Sequence, residues 1–168
     1  MNNTRGVLRP LLQLMGKMRF QNDFDAYATV MQFVSRRALS RGSYRPLMLY
    51  GPRGCGKTRM ATTIMKVLGI TNPLCNFVWR GKASGFELEN ALRSNGGVVV
   101  VVVRDVFGES PSLRNWLLQW YERRFLIDLI IETSDPYTFF RVGRLDFCDS
   151  VVFDGLPTDA RKGGRYDD

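Results

Sequence analysis

Short apolar runs alternate with helical patterns of hydrophobic residues from Arg45 onward. The clearest run is Val98 to Val103, a stretch of valine without polar alternation, which predicts a strand buried on both faces. The other runs predict strands over 47–50, 77–79, 126–132 and 151–153, and the helical patterns predict helices over 57–68, 86–93 and 110–121. This alternation predicts an α/β protein with a parallel sheet of about five strands and helices on both faces.

The first 44 residues have a different, basic and helical pattern. Residues 5–20 combine cations with apolar positions and contain no acid, and Pro10 is expected in the first turn of a helix. Such a segment fits an organelle presequence, a helix on a membrane surface, or a helix packed on the core. A second helix is predicted to begin after the capping residue Asn22 and to end before Gly42. Its last turns carry cations that complement a helix C-terminus, namely Arg36, Arg37 and Arg41.

Composition removes several classes of protein. The 168 residues include no histidine, which excludes Ser-His-Asp and Cys-His nucleophile systems and His-ligated zinc. Three cysteines, far apart, argue against a disulfide framework and favour an intracellular location. The longest apolar run is far shorter than the roughly 20 residues that cross a bilayer. The net charge of +8 is concentrated before residue 87, so a polyanion such as nucleic acid is a natural partner.

One motif has a specific chemistry, and it lies between the first predicted strand and the helix that follows. Residues 51–58 read G-x-x-x-x-G-K-T, a phosphate-binding loop that predicts ATP and Mg²⁺ as ligands. Lys57 is the expected phosphate ligand and Thr58 the expected magnesium ligand. The predicted nucleotide-binding positions are Gly51, Pro52, Arg53, Gly54, Cys55, Gly56, Lys57 and Thr58.

A triphosphate site also needs a carboxylate at the end of a neighbouring strand to hold hydrated magnesium. Asp105 follows the valine strand and is the candidate, in the position called Walker B in such sites. A second acid commonly orients the attacking water, and the nearest carboxylate along the chain is Glu109. Glu109 fits equally well as a first-turn acid of the helix that begins at Ser110.

The order of these motifs, GPRGCGKT, VVVVRDVFG and IIETSDP, resembles the superfamily 3 helicase domain of small-virus replication proteins, within the AAA+ ATPases. The spacing is most similar to the replication initiators of circular single-stranded DNA viruses, over roughly residues 45–157. The resemblance implies an AAA+-like P-loop NTPase fold and an enzyme that hydrolyses ATP.

The resemblance also implies roles for later residues. The strand tip 133–135 corresponds to a polar sensor of the γ-phosphate, usually Asn, so Ser134 and Asp135 are predicted nucleotide contacts. Asp135 departs from the expected amide, and a cap before Pro136 explains it equally well. Arg141 and Arg144 resemble arginine fingers that act on the neighbouring subunit's ATP, which implies a homo-oligomer, commonly a hexameric ring. Two solvated arginines are the alternative.

Other departures weaken the likeness to a helicase. Arg104 replaces one Walker B acid, and the connection from Glu122 to Leu126 is too short for the hairpin that contacts single-stranded nucleic acid in this superfamily. We therefore expect a magnesium-dependent ATPase that acts on single-stranded DNA or RNA. Two alternatives remain open, a small nucleoside or nucleotide kinase and a catalytically weakened module that uses ATP for assembly or membrane attachment.

These arguments divide the chain into a basic helical segment over 1–44, a P-loop NTPase core over 45–157 and a disordered tail over 158–168. A membrane surface is a further candidate partner, through residues 5–20. The expected location is intracellular, in the cytoplasm or nucleus of a host cell if the protein is viral, with organelle import left open.

Overall fold

The computed structural model describes residues 3–39, 45–69, 76–80, 100–104, 128–134 and 148–160. These residues form three helices and five strands in the order α1, α2, β1, α3, β2, β3, β4, β5. The helices are α1 (Asn3–Met15), α2 (Asp23–Leu39) and α3 (Lys57–Val67). The strands are β1 (Leu47–Tyr50), β2 (Asn76–Arg80), β3 (Val100–Arg104), β4 (Asp128–Thr133) and β5 (Asp149–Val152). The helices predicted over 86–93 and 110–121 lie outside the described residues.

The strands form one sheet of five in the order β2-β3-β4-β1-β5, and every pairing is parallel. The predicted parallel sheet is therefore confirmed. The β1 strand lies between β4 and β5, with Tyr50 in register with Thr133 on one side and Val152 on the other. Since parallel strands end at the same edge, the loop after β1 emerges beside the carboxyl end of β4.

Helix α1 packs against α3 through residues one turn apart, Leu11 and Met15, whose side chains are fully or almost fully buried. The structure thus has the first segment as a helix packed on the core. Pro10 lies in the interior of α1, not in its first turn as predicted. Pro10 cannot donate a hydrogen bond to the carbonyl of Gly6, and both residues are exposed, so water can solvate that carbonyl. No helix within the described residues is long and apolar enough to span a membrane.

Helix α2 begins as the sequence predicts, because Asn22 Oδ1 accepts a hydrogen bond from the backbone N–H of Asp25 at 3.0 Å. Near its other end, Arg36 donates to Asp149 Oδ2 at 3.1 Å, while Arg45 Nε donates to Asp149 Oδ1 at 2.9 Å. Asp149 begins β5, so this carboxylate joins α2 to the edge of the sheet. Arg36 therefore has a structural ion pair.

The segment after α1 runs beside the chain that leaves β5. Phe20 and Phe153 form an antiparallel bridge, and their ring centroids are 5.1 Å apart. Gln21 donates its backbone N–H to Val152 O at 2.9 Å, and Asp154 donates to Arg19 O at 2.8 Å. This pairing brings residues 18–21 to the side of the sheet where the phosphate-binding loop begins.

The predicted disordered tail is wrong for its first three residues. Thr158 donates its backbone N–H to Lys17 O at 2.8 Å, and Asp159 accepts two hydrogen bonds of 3.0 Å from Arg59 on α3. Hydrogen bonds and an ion pair hold this segment in place. Composition predicts disorder because the segment has almost no apolar residue to bury. Residues 161–168 lie outside the described part of the chain.

Candidate nucleotide site

The loop between β1 and α3 needs backbone conformations that only glycine adopts readily. Gly54 has φ of 79° and Gly56 has φ of 101°, both in the left-handed region. Gly56 is also the N-cap of α3, so the loop turns directly into the helix. Gly54 and Gly56 thus produce the sharp strand-to-helix turn that the sequence predicts.

The first turn of α3 is open to an anion. Gly56 has no side chain to cap the helix, and the first turn contains no acidic residue. The N–H groups of a first helical turn have no partners within the helix, and the helix dipole places partial positive charge there. Together with the loop amides, this helix end is suited to bind phosphate.

Lys57 is buried although it is charged, with only 4% of its surface exposed. Its Nζ donates to the carbonyls of Gly51 and Pro52, each at 3.0 Å, so the ammonium lies back over the loop. The loop therefore holds a cation at its centre, and an incoming phosphate would replace one of these neutral acceptors with an anionic one.

Gly51 has a role that depends on space. A Cβ at this position would lie 2.6 Å from Phe153 Cβ and 2.9 Å from Cys55 Sγ, too close for any side chain. Cys55 is fully buried, and its sulfur lies 3.7 Å from Lys57 Nζ. These contacts make Cys55 a packing residue of the loop, as its small size suggests.

The other described thiol, Cys148, is buried before β5, and desolvation raises the pKa of this thiol well above its ordinary value. A high pKa keeps a thiol protonated and chemically inert. Within the described residues Cys55 and Cys148 form no disulfide.

Thr58 meets a carboxylate that the sequence reasoning missed. Its hydroxyl donates a hydrogen bond of 2.8 Å to Glu132 Oε2. Glu132 lies near the carboxyl end of β4, opposite Leu49 of β1, and only 3% of its surface is exposed. The available signal is an acid that ends an apolar stretch in the sequence, but the family resemblance assigns that strand end to the sensor residues that follow it.

Magnesium fits this corner of the protein. Mg²⁺ prefers oxygen ligands and usually takes one or two carboxylates together with phosphate oxygens and water. Among the described residues, no group of three or more His, Cys, Asp or Glu could hold a metal by itself. A hydroxyl next to a buried carboxylate is consistent with a metal shared with a nucleotide.

Ser134 is the one of the later predicted site residues that the described part of the chain includes. Ser134 is described and exposed, directly after the end of β4 and therefore at the same edge of the sheet as the loop. β3 ends at Arg104, immediately before the predicted metal ligand. The predicted residues outside the described part of the chain are Asp105, Glu109, Asp135, Arg141 and Arg144.

A cleft of about 710 Å³ opens beside the loop, between α1 and α3. Its lining includes Thr58 and Thr62 of α3 and Pro10 and Leu14 of α1. The cleft therefore reaches Thr58 at the start of α3, and it is large enough for a small molecule.

The parallel sheet, the glycine turn, the buried lysine and the uncapped helix define an α/β protein with the P-loop NTPase fold. Comparison with known proteins agrees with this class, although no family model matches the chain. Two curated relatives, adenylate kinase 8 of Xenopus tropicalis and of Xenopus laevis, are each 25% identical, over 99% and 98% of this chain. The chain spans 37% of the length of each of these relatives.

Solved structures show the same fold. A variant of RuvB from Thermotoga maritima matches with a TM-score of 0.56 and 16% identity, covering 81% of this chain and 48% of that one. The ORC2 protein of Aeropyrum pernix matches with a TM-score of 0.52 and 14% identity, covering 72% of this chain and 43% of that one.

Proposed function

We propose that this protein is a magnesium-dependent ATPase of the AAA+ and superfamily 3 kind that works as an oligomer on nucleic acid. The observation that carries the proposal is the buried Lys57 ammonium, bonded to Gly51 O and Pro52 O at 3.0 Å each, at the N-terminus of an uncapped helix. This arrangement concentrates positive charge at the start of a helix, where the first-turn N–H groups have no partner within the helix. The structure with a similar fold from Aeropyrum pernix was solved with ADPNP and ADP, which supports a nucleotide as the ligand here.

The chemistry assigned to the described residues is positioning and electrostatic stabilisation. Lys57 binds the β- and γ-phosphates, and the loop and first-turn N–H groups bind the remaining phosphate oxygens. Thr58 and a neighbouring carboxylate would hold Mg²⁺, which supplies neutralisation of the phosphate charge when it is bound. The proposal keeps Asp105 as a magnesium ligand, Glu109 as an acid that orients water, and Ser134 and Asp135 as γ-phosphate contacts.

The first test is nucleotide binding by a Lys57→Ala variant. We expect the affinity for a fluorescent ATP analogue to fall by about 10- to 100-fold, because hydrogen bonds to charged groups contribute roughly 1.5–3 kcal/mol each. Fluorescence titration measures the affinity, and phosphate release measures turnover.

The charge-matched control for this test is Arg9→Ala, which removes an exposed cation of α1. The control should leave nucleotide affinity unchanged. Equal affinities for wild type and Lys57→Ala would contradict the proposal. Binding without turnover, with or without polynucleotide, would instead favour the assembly module.

The oligomer and its nucleic-acid substrate need a separate measurement. The proposal assigns Arg144, with Arg141, to the active site of a neighbouring subunit. We expect larger assemblies in a sizing experiment when an ATP analogue and single-stranded DNA or RNA are added, and faster phosphate release with the polynucleotide. A monomer in every condition would exclude action on a neighbouring subunit's ATP.

A nucleotide kinase is the second candidate, and two observations favour it. The curated relatives named adenylate kinase 8 match almost the whole chain. The cleft between α1 and α3 reaches Thr58 and offers room for a phosphate acceptor. Transfer of labelled phosphate from ATP to AMP, rather than to water, would establish this candidate in place of the ATPase.

A further inference from the structure

Two charged side chains are buried among the described residues, Lys57 and Glu132, and they lie at the same corner of the sheet. Lys57 is explained by the phosphate loop. Burial of a carboxylate is costly unless the group has a specific partner, so Glu132 requires a physical explanation of its own.

The position of Glu132 follows from the strand order. β4 lies between β1 and β3, and Glu132 is in register with Leu49, one residue before the end of β1. The loop after β1 returns as α3, whose second residue is Thr58. Among the described strands, β4 therefore provides the carboxylate that reaches the Thr58 hydroxyl of the phosphate-binding loop.

The direction of the hydrogen bond limits what Thr58 can bind. A hydroxyl has one donor and two acceptor lone pairs. The donor is committed to Glu132 Oε2 at 2.8 Å, since a carboxylate only accepts hydrogen bonds. What remains on Thr58 is acceptor capacity, which suits a cation and does not suit a phosphate oxygen.

We infer that Glu132, on β4, is the positioning residue that orients the Thr58 hydroxyl toward magnesium. This inference rests on the proposed nucleotide site and adds a residue of β4, whereas Asp105 follows β3 in the sequence. Glu132 acts through Thr58, and its charge also makes the hydroxyl oxygen a better ligand for a cation. Substitution of Glu132 should therefore change how strongly Mg²⁺ increases nucleotide affinity, and it should not weaken the binding of nucleotide without Mg²⁺.

The test measures the affinity of a fluorescent ATP analogue in excess Mg²⁺ and in EDTA, for wild type and Glu132→Gln. For wild type we expect tighter binding with Mg²⁺. For Glu132→Gln we expect that gain to fall by about 10- to 100-fold, the usual effect of removing an outer partner of a metal ligand. Binding in EDTA should be unchanged or tighter, because a negative charge near the phosphates is lost.

A second variant keeps the test decisive if Glu132→Gln does not fold. Thr58→Val removes the hydroxyl and should abolish the same magnesium-dependent gain. If both variants fold, the double variant should lose no more of the gain than Thr58→Val alone, because Glu132 acts through Thr58. Asp154→Asn, which removes an exposed carboxylate after β5, is the control and should keep the full gain.

Comparison with Asp105→Asn decides which carboxylate is responsible for the magnesium-dependent gain in nucleotide affinity. If Glu132→Gln keeps the full magnesium-dependent gain while Asp105→Asn abolishes it, the inference is overturned and the proposed function stands. If wild type binds no nucleotide in either condition, the proposed function fails and the inference fails with it. An intact gain in Thr58→Val would also overturn the inference.

Discussion

At the scale of single residues, the loop depends on two different properties of glycine. Gly54 and Gly56 provide left-handed backbone, whereas Gly51 provides space between β1 and Phe153. Two of the atoms that crowd Gly51 are Cβ and O of Phe153, which lie on or next to the backbone and cannot move aside as the end of a flexible side chain would. The third is the buried Sγ of Cys55. Steric crowding, rather than strain in φ, makes Gly51 necessary.

We expect Gly51→Ala to lower the free energy of unfolding by about 1–3 kcal/mol, the usual cost of overpacking. Gly6→Ala is the matched control, because Gly6 is helical and no atom lies within 4 Å of an added Cβ. That change should raise stability by up to about 1 kcal/mol. Urea unfolding of both variants measures the difference. Equal stability would show that Phe153 does not pack against the loop in solution.

The sequence predicts part of the site at this scale and misses another part for a physical reason. Lys57 and Thr58 follow from a local motif, in which spacing along the chain determines the geometry. Glu132 becomes a site residue only because β4 pairs with β1, and that pairing is a long-range property. The sequence shows an acid at the end of an apolar stretch, but it does not show that this acid lies beside Thr58.

At the scale of elements, α1 stabilises the protein through one face. Leu11 is fully buried, whereas its neighbour Leu12 is 43% exposed. Adjacent helical residues point about 100° apart, so one leucine is buried and the other is exposed. Substitution of each leucine therefore distinguishes the effect of burial from the effect of helix propensity.

Leu11→Ala should therefore lower the free energy of unfolding by about 2–5 kcal/mol, as buried leucine truncations do. Leu12→Ala should stay within about 0.5 kcal/mol of wild type. Chemical denaturation with an unchanged m-value provides the comparison. A large loss of stability in both variants would indicate that Leu12 is buried against a partner in solution. That result would favour binding of α1 to a membrane surface or to another protein.

Local pattern predicts these elements better than their arrangement. The bounds of β1 match the prediction, and α3 ends only one residue earlier than predicted. The agreement is close because the apolar periodicity and the glycine loop that define these elements lie within the same short segment. The order β2-β3-β4-β1-β5 does not follow from any single segment. It depends on which strands exclude water together, and that information is distributed over the chain.

At the scale of the whole molecule, Asp159 attaches the segment after β5 to both α3 and the end of α1. Its carboxylate contacts Arg59 at 3.0 Å and Lys17 at 3.7 Å. The hydrogen bond from Arg59 is the main cause that holds the pKa of Asp159 below its ordinary value. A lowered pKa means that the attachment is complete above the ordinary value, near 4, and is lost as pH falls through the lowered one.

We expect wild type to be more stable than Asp159→Asn by no more than about 1 kcal/mol at pH 5–7, because exposed ion pairs contribute little. The difference should shrink below pH 4, as protonation of Asp159 removes the charge that the variant lacks. Unfolding curves of the two proteins at pH 3, 5 and 7 measure this, and added salt should also reduce the difference. A difference that grows in acid would contradict the assigned ion pairs.

The packing of Gly51 against Phe153, and of Gly56 near Met18, has a consequence for folding. A Cβ at Gly56 would lie 2.7 Å from the Met18 thioether, and Phe153 pairs with Phe20. The phosphate loop is thus shaped by residues that lie more than 30 positions before it and about 100 positions after it. Contacts of such long sequence separation close long loops, which costs entropy and slows folding. Competence to bind phosphate should therefore require the folded chain on both sides of the loop, not the loop sequence alone.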